Sequence, residues 1–190
     1  REPITGSRIR PGDVVIGFAS NGVHANGLTL ARHVLLGGQI QEIGRYLPEC
    51  GRTVGQELLR RTHIYVPEVL AMLAAGVDVR GLAHISGDGL LNLLRLDAEV
   101  EYHLDSLPEV PAIFEVIQRE GNIDLGEMYR VYNMGVGFCA VVTKEHSEKA
   151  LTAVGGQANV IGVVKAGDRR VVLPSQGLVG ERGRYTRIGS

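Results

Sequence analysis

The chain has few of the features that mark several common classes of protein. Among its 190 residues it has two cysteines and no tryptophan, and its 20 basic residues are balanced by 21 acidic ones. Cys50 in a polar stretch and Cys139 in an apolar one indicate neither a disulfide framework nor a cysteine-based metal site. A net charge near zero argues against a broad nucleic-acid surface, although a local phosphate pocket needs only one or two basic groups.

Long apolar runs and metal-ligand spacings are absent as well. No apolar run approaches the roughly 20 residues needed to cross a bilayer, and no signal-peptide pattern opens the chain. The spacing of the His, Asp and Glu residues does not fit a zinc site, so we expect no metal ligands in this chain. Together these absences predict a cytoplasmic protein that binds neither a membrane nor a nucleic acid.

Strand and helix patterns alternate along the chain, which predicts an α/β (α+β) fold with a mixed sheet and packed helices. Strands are predicted at 14–19, 82–85, 100–104, 136–142, 160–164 and 171–173. Helices are predicted at 28–36, 67–76, 90–94, 111–121 and 144–154.

Composition also predicts the domain organisation. Residues 1–12 are polar, contain proline and glycine and show no periodicity, so they are interpreted as a linker from a preceding domain. Residues 13–174 are predicted to form one domain. Residues 175–190 are rich in glycine and arginine without a core pattern, and we expect a loose tail or an extension that docks on a neighbour.

The most informative stretch is the loop of residues 20–27 between the first predicted strand and the first predicted helix. Its polar and glycine residues are Ser20, Asn21, Gly22, His24, Asn26 and Gly27. Backbone N–H groups at a helix start favour a phosphate or another anion. A turn that only reverses the chain explains the same composition, so both interpretations stay open.

His24 is the first candidate for chemistry in this loop. An imidazole exchanges protons near neutral pH and can also donate to a phosphate or carbonyl oxygen. A turn histidine bonded to a backbone carbonyl is the alternative.

Two further groups of candidate site residues lie next to predicted strands, one after a strand and one before a strand. Gly87-Asp88-Gly89 comes after the strand that ends near His84, a context in which glycines let a ligand approach the main chain. Arg130 could bind a phosphate or a carboxylate, and Asn133 precedes the next strand, where it could simply set a tight backbone entry. The adjacent Arg60 and Arg61 are interpreted as helix-surface residues.

Four segments in the same order resemble the phosphoribosylformylglycinamidine cyclo-ligase family, also called aminoimidazole ribonucleotide synthetase. Residues 19–27 resemble that family's Ser-Ser-Gly-Pro-His-Ser-Asn-Gly, and residues 62–66 resemble its Thr-Arg-Ile-Tyr-Val. Residues 84–90 resemble His-Ile-Thr-Gly-Gly-Gly-Leu, and residues 127–137 resemble Glu-Met-Tyr-Arg-Thr-Phe-Asn-x-Gly-Val-Gly. Four ordered motifs are far more specific than a glycine pattern alone.

The resemblance covers the carboxy-terminal domain of this superfamily, which implies a partly ferredoxin-like arrangement. The family's amino-terminal half, with an acidic metal-binding segment and most of the ATP site, has no counterpart here, and the chain begins at Arg1 rather than Met. In the intact enzyme, ATP and Mg²⁺ would therefore be bound mainly by that missing domain. We expect the fragment alone to be inactive, and the resemblance allows a homodimer of the full-length form.

For the intact enzyme the resemblance implies an ATP-dependent ring closure in de novo purine biosynthesis, from formylglycinamidine ribonucleotide to aminoimidazole ribonucleotide. This chain would supply contacts to the phosphorylated ribonucleotide substrate. On this resemblance we expect His24 to be catalytic, through proton transfer or contact with an oxyanion. The expected substrate-binding residues are Ser20, Asn21, Gly22, Asn26, His84, Gly87, Gly89, Arg130 and Asn133.

The sequence departs from the family's pattern in one loop. Asp88 replaces a glycine, and residues 91–95 match the family only if one residue is deleted. A carboxylate beside a phosphate is repulsive unless a cation such as Arg95 intervenes, so we do not expect Asp88 itself to face a phosphate.

Two other classes of function remain open. One is a related ATP-dependent superfamily member: thiamine-monophosphate kinase, selenophosphate synthetase, the hydrogenase-maturation dehydratase or formylglycinamidine synthetase. The segment 127–137 fits the cyclo-ligase better than these. The other is a noncatalytic ligand-binding or assembly module, which the altered loop at Asp88 would permit.

Overall fold

A computed structural model describes residues 3–156 and 158–189 of the chain. The strands are β1 (Val14–Ala19), β2 (Tyr46–Leu47), β3 (Arg52–Thr53), β4 (Val79–His84), β5 (Glu101–His103), β6 (Val136–Val142), β7 (Ala158–Lys165), β8 (Arg170–Leu173), β9 (Leu178–Glu181) and β10 (Arg184–Arg187). The helices are α1 (Leu28–Leu36), α2 (Val54–Leu58), α3 (Val66–Ala74), α4 (Ala112–Gly121), α5 (Leu125–Val131) and α6 (Ser147–Ala153). Within these residues, none of the helices has the length and apolar character needed to cross a bilayer.

One mixed sheet organises the described part of the chain, which confirms the predicted α/β class. Its strand order is β10-β9-β8-β5-β7-β1-β6-β4, while β2 and β3 form a separate hairpin. Strands β5 and β8 are parallel, and the other neighbouring pairs of the sheet are antiparallel.

Four of these strands have the ferredoxin-like order that the resemblance implied. Taken alone, β7, β1, β6 and β4 are the fourth, first, third and second in the chain, and each neighbouring pair is antiparallel. Helix α3 lies in the connection from β1 to β4 and α6 in the connection from β6 to β7, and the two helices pack together. The sheet continues beyond β7, so the likeness is partial.

Strand β1 separates two hydrophobic clusters. Val14, Ile16 and Phe18 belong to one cluster together with Met72 of α3. Val15 belongs to the other, which includes residues of α1, α4 and α5. Successive side chains of a strand point to opposite faces, so a strand covered on both faces must be apolar throughout. This is why β1 could be predicted at its observed bounds.

Helix α1 also has the predicted bounds, because glycine residues define both of its ends. Gly27 precedes it with a φ of 82°, and Gly37 follows it with a φ of 52° while its N–H donates to the His33 carbonyl. Both values lie in the left-handed region, which glycine adopts without a steric cost.

Several predicted elements differ in bounds or type from the observed ones, and some observed elements were not predicted. Strand β4 begins at Val79 rather than 82. The sequence pattern missed its first residues because Arg80 is polar, and in the structure Arg80 pairs with Asp13 and Asp78. The predicted helix 144–154 is a short 3₁₀ turn followed by α6. The predicted helix 90–94 is a 3₁₀ helix over Gly89–Arg95. Helices α2 and α5 and the hairpin β2–β3 were not predicted.

The expectation of a loose tail at 175–190 is wrong for residues 178–187. These residues form β9 and β10, which extend the sheet from β8. Leu178 is buried, and the ring of Tyr185 packs on that of Tyr129 at a centroid distance of 6.0 Å. Residue 190 lies outside the described residues. Leu178 and Tyr185 pack on the hydrophobic core, while most of β10 is exposed.

Residues 3–12, the described part of the predicted linker 1–12, make contacts with the rest of the fold. Ile9 is 2% exposed and belongs to the core, and the N–H of Gly12 donates to the Val164 carbonyl at 2.9 Å. Residues 1 and 2 lie outside the described residues. Whatever precedes it, the segment 3–12 is packed on the domain.

Leu178→Ala should lower the free energy of unfolding by about 2 kcal/mol, because it removes a buried side chain at the start of β9. Ile188→Ala is the matched control, since Ile188 is 51% exposed, and it should change stability by less than about 0.5 kcal/mol. Urea unfolding monitored by circular dichroism measures both. Equal, small effects would mean that the hairpin contributes nothing to the fold.

Candidate ligand site at the loop after β1

The loop of residues 20–27, here called the His24 loop, and the end of β4 lie at the same edge of the sheet. Strand β6 pairs with β1 on one side and with β4 on the other, so Phe138 lies opposite both Phe18 and His84. Strands β1 and β4 therefore run in the same direction, and the segments that follow them leave the sheet together. The fold thus places the His24 loop near the loop that follows His84.

Asn133 holds the His24 loop against the start of β6. Its side-chain nitrogen donates to the Gly22 carbonyl at 2.8 Å, and its oxygen accepts from the Ser20 hydroxyl at 2.6 Å and the Gly135 N–H at 3.0 Å. Asn133 is only 4% exposed, so these bonds satisfy a buried amide. Ser20 and Asn133 were both expected to bind substrate, and their side chains bond to each other.

His24 is buried in this loop with one ring nitrogen unpaired. It adopts a φ of 61° and is 8% exposed. Its Nε2 lies 2.9 Å from the side-chain oxygen of Asn21, and within the described residues its buried Nδ1 has no hydrogen-bond partner. When Nε2 carries the proton and donates to Asn21, Nδ1 presents a lone pair that can accept one.

Burial holds His24 in its neutral form. Burial is the largest cause that lowers the pKa of His24 to about 4, and His84, His63 and Arg60 add smaller contributions of the same sign. A neutral imidazole can accept a proton, although a pKa this low makes it a weak base near pH 7. An anion bound nearby would favour the protonated form and raise the pKa of His24.

Tyr65 packs against two histidines of this region. Its ring centroid is 4.7 Å from that of His63 and 6.4 Å from that of His24, and its hydroxyl donates to the Ala19 carbonyl at 3.0 Å. Gly137 is required beneath it, since a Cβ there would overlap the Tyr65 hydroxyl and lie 2.9 Å from His24.

An apolar cavity of about 350 Å³ adjoins these rings. Its lining residues are His63, Tyr65, Val66, Val69, Leu70, Leu82, His84 and Phe138. His84 is exposed at the end of β4, so it is open to contact from outside the described chain.

The loop that follows His84 is held by internal hydrogen bonds. The side-chain nitrogen of Asn92 donates to the carbonyls of Gly87 at 2.8 Å and Gly89 at 2.7 Å. The carboxylate of Asp88 pairs with Arg95 at 2.8 Å. Arg95 is the cation that the sequence analysis suggested for this carboxylate. This pair lines a second open cavity of about 670 Å³.

The remaining predicted site residues have less specific surroundings. Arg130 pairs with Glu127 one helical turn before it on α5, and this pairing lowers the pKa of Glu127. Asn26 is half-buried ahead of α1. Nothing in these contacts brings Arg130 to the His24 loop. No group of three or more His, Cys, Asp or Glu residues in the described ranges could hold a metal ion.

Sequence reasoning missed Glu57 and Arg60. The interpretation of Arg60 as a helix-surface residue is wrong, because α2 ends at Leu58, and the guanidinium of Arg60 pairs with Glu57, whose side chain is 2% exposed. The spacing of three between an acidic and a basic residue was the available signal. This spacing was not recognised as a signal because α2, which carries Glu57, was not predicted.

Comparison with known proteins defines the class of this fold. The chain is similar to the hydrogenase maturation protein HypE, with a TM-score of 0.57, 18% identity and coverage of 97% of this chain and 54% of that one. It is also similar to a ThiL protein solved with AMPPCP and TMP, with a TM-score of 0.54, 15% identity and coverage of 89% and 50%. At these identities the likeness shows the fold alone.

A sequence model of the family "AIR synthase related protein, C-terminal domain" matches residues 10–173, and the chain belongs to this family. It is 50% identical over 161 residues to the phosphoribosylformylglycinamidine cyclo-ligase of Methanothermobacter thermautotrophicus, covering 85% of this chain and 47% of that protein. It is 44% identical over 178 residues to the cyclo-ligase of Methanopyrus kandleri, covering 93% and 50%. The chain thus spans about half the length of these relatives.

Proposed function

We propose that this chain is the carboxy-terminal half of an ATP-dependent cyclo-ligase that converts formylglycinamidine ribonucleotide to aminoimidazole ribonucleotide in de novo purine biosynthesis. The observation that supports it most strongly is the 50% identity to a named cyclo-ligase over 85% of the chain. The structural likeness to HypE and ThiL proteins is compatible with a related ATP-dependent enzyme but does not favour one.

In the proposed reaction a phosphoryl group from ATP activates the formyl oxygen of the substrate, and an amidine nitrogen then closes the ring with loss of phosphate and a proton. His24 is proposed to accept that proton at its unpaired Nδ1, or to donate to the developing negative charge when Nδ1 carries a proton. Asn21 orients the imidazole through its bond to Nε2. Ser20 and Asn133 act as positioning residues for the loop.

Substrate contacts are proposed for the residues at this edge of the sheet. Gly22, Asn26, Gly87 and Gly89 would offer main-chain or amide groups, and the exposed His84 would contact the substrate from β4. Arg130 is proposed as a more distant phosphate contact. We assign Mg²⁺ and most ATP contacts to the amino-terminal half of the complete protein, because the family's acidic metal-binding segment belongs to that half.

The remaining partners follow from the same proposal. The complete protein would join this domain to an amino-terminal ATP-binding domain, act in the cytoplasm and be able to form a homodimer. We propose no contact with nucleic acid or membrane. The chain by itself would be inactive.

The test is an assay of the complete protein with ATP and formylglycinamidine ribonucleotide, with aminoimidazole ribonucleotide and ADP measured together. We expect both products in equal amounts, and no product from residues 1–190 alone. Phosphoryl transfer to thiamine monophosphate in place of ring closure would replace the proposal with a related kinase. Ligand binding without turnover of any such substrate would indicate a noncatalytic module.

A further inference from the structure

An ion pair of Glu57 and Arg60 lies against the His24 loop; Glu57 is on α2 and Arg60 follows its end. The Nη1 atom of Arg60 is 3.2 Å from Oε1 of Glu57. A Cβ built on Gly22 would lie 3.1 Å from this carboxylate oxygen and 3.7 Å from Nη1. The ion pair therefore contacts the backbone of the His24 loop two residues before the imidazole.

The carboxylate of Glu57 is shared by two guanidinium groups. Its second oxygen lies 3.3 Å from Nε of Arg52, and its side chain is 2% exposed. One carboxylate between two arginines leaves a net positive charge. A buried carboxylate is costly unless its partners are fixed, so this pairing holds Arg60 in one direction.

The side chain of Arg60 is held by Glu57 and is also accessible to solvent, since it is 32% exposed. A guanidinium has five N–H donors, and one bond to Glu57 leaves most of them free to bind another acceptor. The nearby Glu68 is bonded through Oε1 to His63 at 2.6 Å, while its buried Oε2 has no hydrogen-bond partner among the described residues. Arg60 offers the guanidinium N–H donors that lie nearest Gly22.

We infer that Arg60 is an anion-binding residue that holds the phosphate of a phosphate monoester beside His24, and that Glu57 is its positioning residue. The assignment of this anion to a phosphorylated substrate rests on the proposed function. The ligand's phosphate would accept from the guanidinium N–H groups that Glu57 does not bind and from the main chain near Gly22, two residues before His24.

The experiment is a titration of the chain with ribose 5-phosphate, followed by calorimetry and by the NMR shifts of the His24 ring. Ribose, which lacks the phosphate, is the ligand control. We expect saturable binding to the wild type, at least about tenfold weaker binding to Arg60→Gln, and binding within about twofold of wild type for Arg61→Gln. Arg61 is the matched control because it is the exposed arginine next in the chain.

Glu57→Gln is tested both in the wild type and in Arg60→Gln, because loss of the Glu57 carboxylate could also affect the fold. If Glu57 acts through Arg60, Glu57→Gln weakens binding in the wild type but adds nothing to Arg60→Gln. A merely structural role would weaken binding in both backgrounds and would overturn the positioning role.

Two outcomes overturn the inference: equal binding by Arg60→Gln and wild type, or no saturable binding by the wild type. Neither depends on turnover, so the assay of the complete protein remains a separate test. Ring closure by the complete protein with Arg60-independent binding would leave the proposed function intact. Arg60-dependent binding without ring closure would leave the anion site intact and remove the proposed function.

Discussion

Gly89→Ala should lower the free energy of unfolding by about 4 kcal/mol or more. Gly89 has a φ of 57°, and a Cβ there would overlap the carbonyl oxygen of Tyr129 and lie 3.0 Å from that of Tyr132. These are backbone atoms of α5 and the residue that ends it, so they cannot turn away as the end of a side chain could. The loop after β4 would have to separate from α5.

Gly87→Ala is the matched control in the same loop. A Cβ at Gly87 would have no atom within 4 Å, so we expect a change of less than about 1 kcal/mol. Urea unfolding of both variants measures the difference. A loss below about 1 kcal/mol for Gly89→Ala would contradict the close packing of this loop on α5. The expected result gives Gly89 a structural role whether or not its main chain also contacts substrate.

Protonation of His24 should destabilise the protein in acid. Burial, followed by His84, His63 and Arg60, lowers the pKa of His24 from its ordinary value of 6.5 to about 4. Between these values the unfolded chain binds a proton that the folded chain does not, so stability falls as the pH falls. At about pH 4.5 the loss from this one residue should be on the order of 2 kcal/mol relative to neutral pH.

The variant His24→Asn isolates this effect, because asparagine tolerates the positive φ and does not titrate in this range. The free energy of unfolding is measured for wild type and variant at about pH 7.5 and about pH 4.5, and the pH-dependent loss should be smaller in the variant by on the order of 2 kcal/mol. His33→Asn, at an exposed position of α1, controls for the loss of any histidine. Equal losses of stability in wild type and His24→Asn would show that His24 has the same pKa in the folded and the unfolded chain.

The central part of the fold could be predicted because its signals are local. A continuous apolar run, a loop with glycine and a helix closed by Gly37 define β1, the His24 loop and α1 without reference to the rest of the chain. The hairpin β9–β10 has no such signal. Its strands are short and carry exposed arginines, and they are stabilised by contacts of Leu178 and Tyr185 with distant elements.

The candidate site could be located from the sequence only in part. The His24 loop and the loop after His84 were identified by composition and resemblance. The bond between Ser20 and Asn133 joins residues 113 positions apart, and no local pattern predicts it. Arg60 was misinterpreted for the same reason: it follows the end of α2, and whether a basic residue there faces solvent or a buried carboxylate depends on tertiary packing, which periodicity does not specify.

The most direct test of the proposed active site is the turnover of the complete protein with His24→Asn, compared with wild type and with His33→Asn, at saturating ATP and formylglycinamidine ribonucleotide. We expect at least about a tenfold lower kcat for His24→Asn, unchanged turnover for His33→Asn and equal melting temperatures near neutral pH. An unchanged kcat for a folded His24→Asn protein would contradict a role for this imidazole in the reaction.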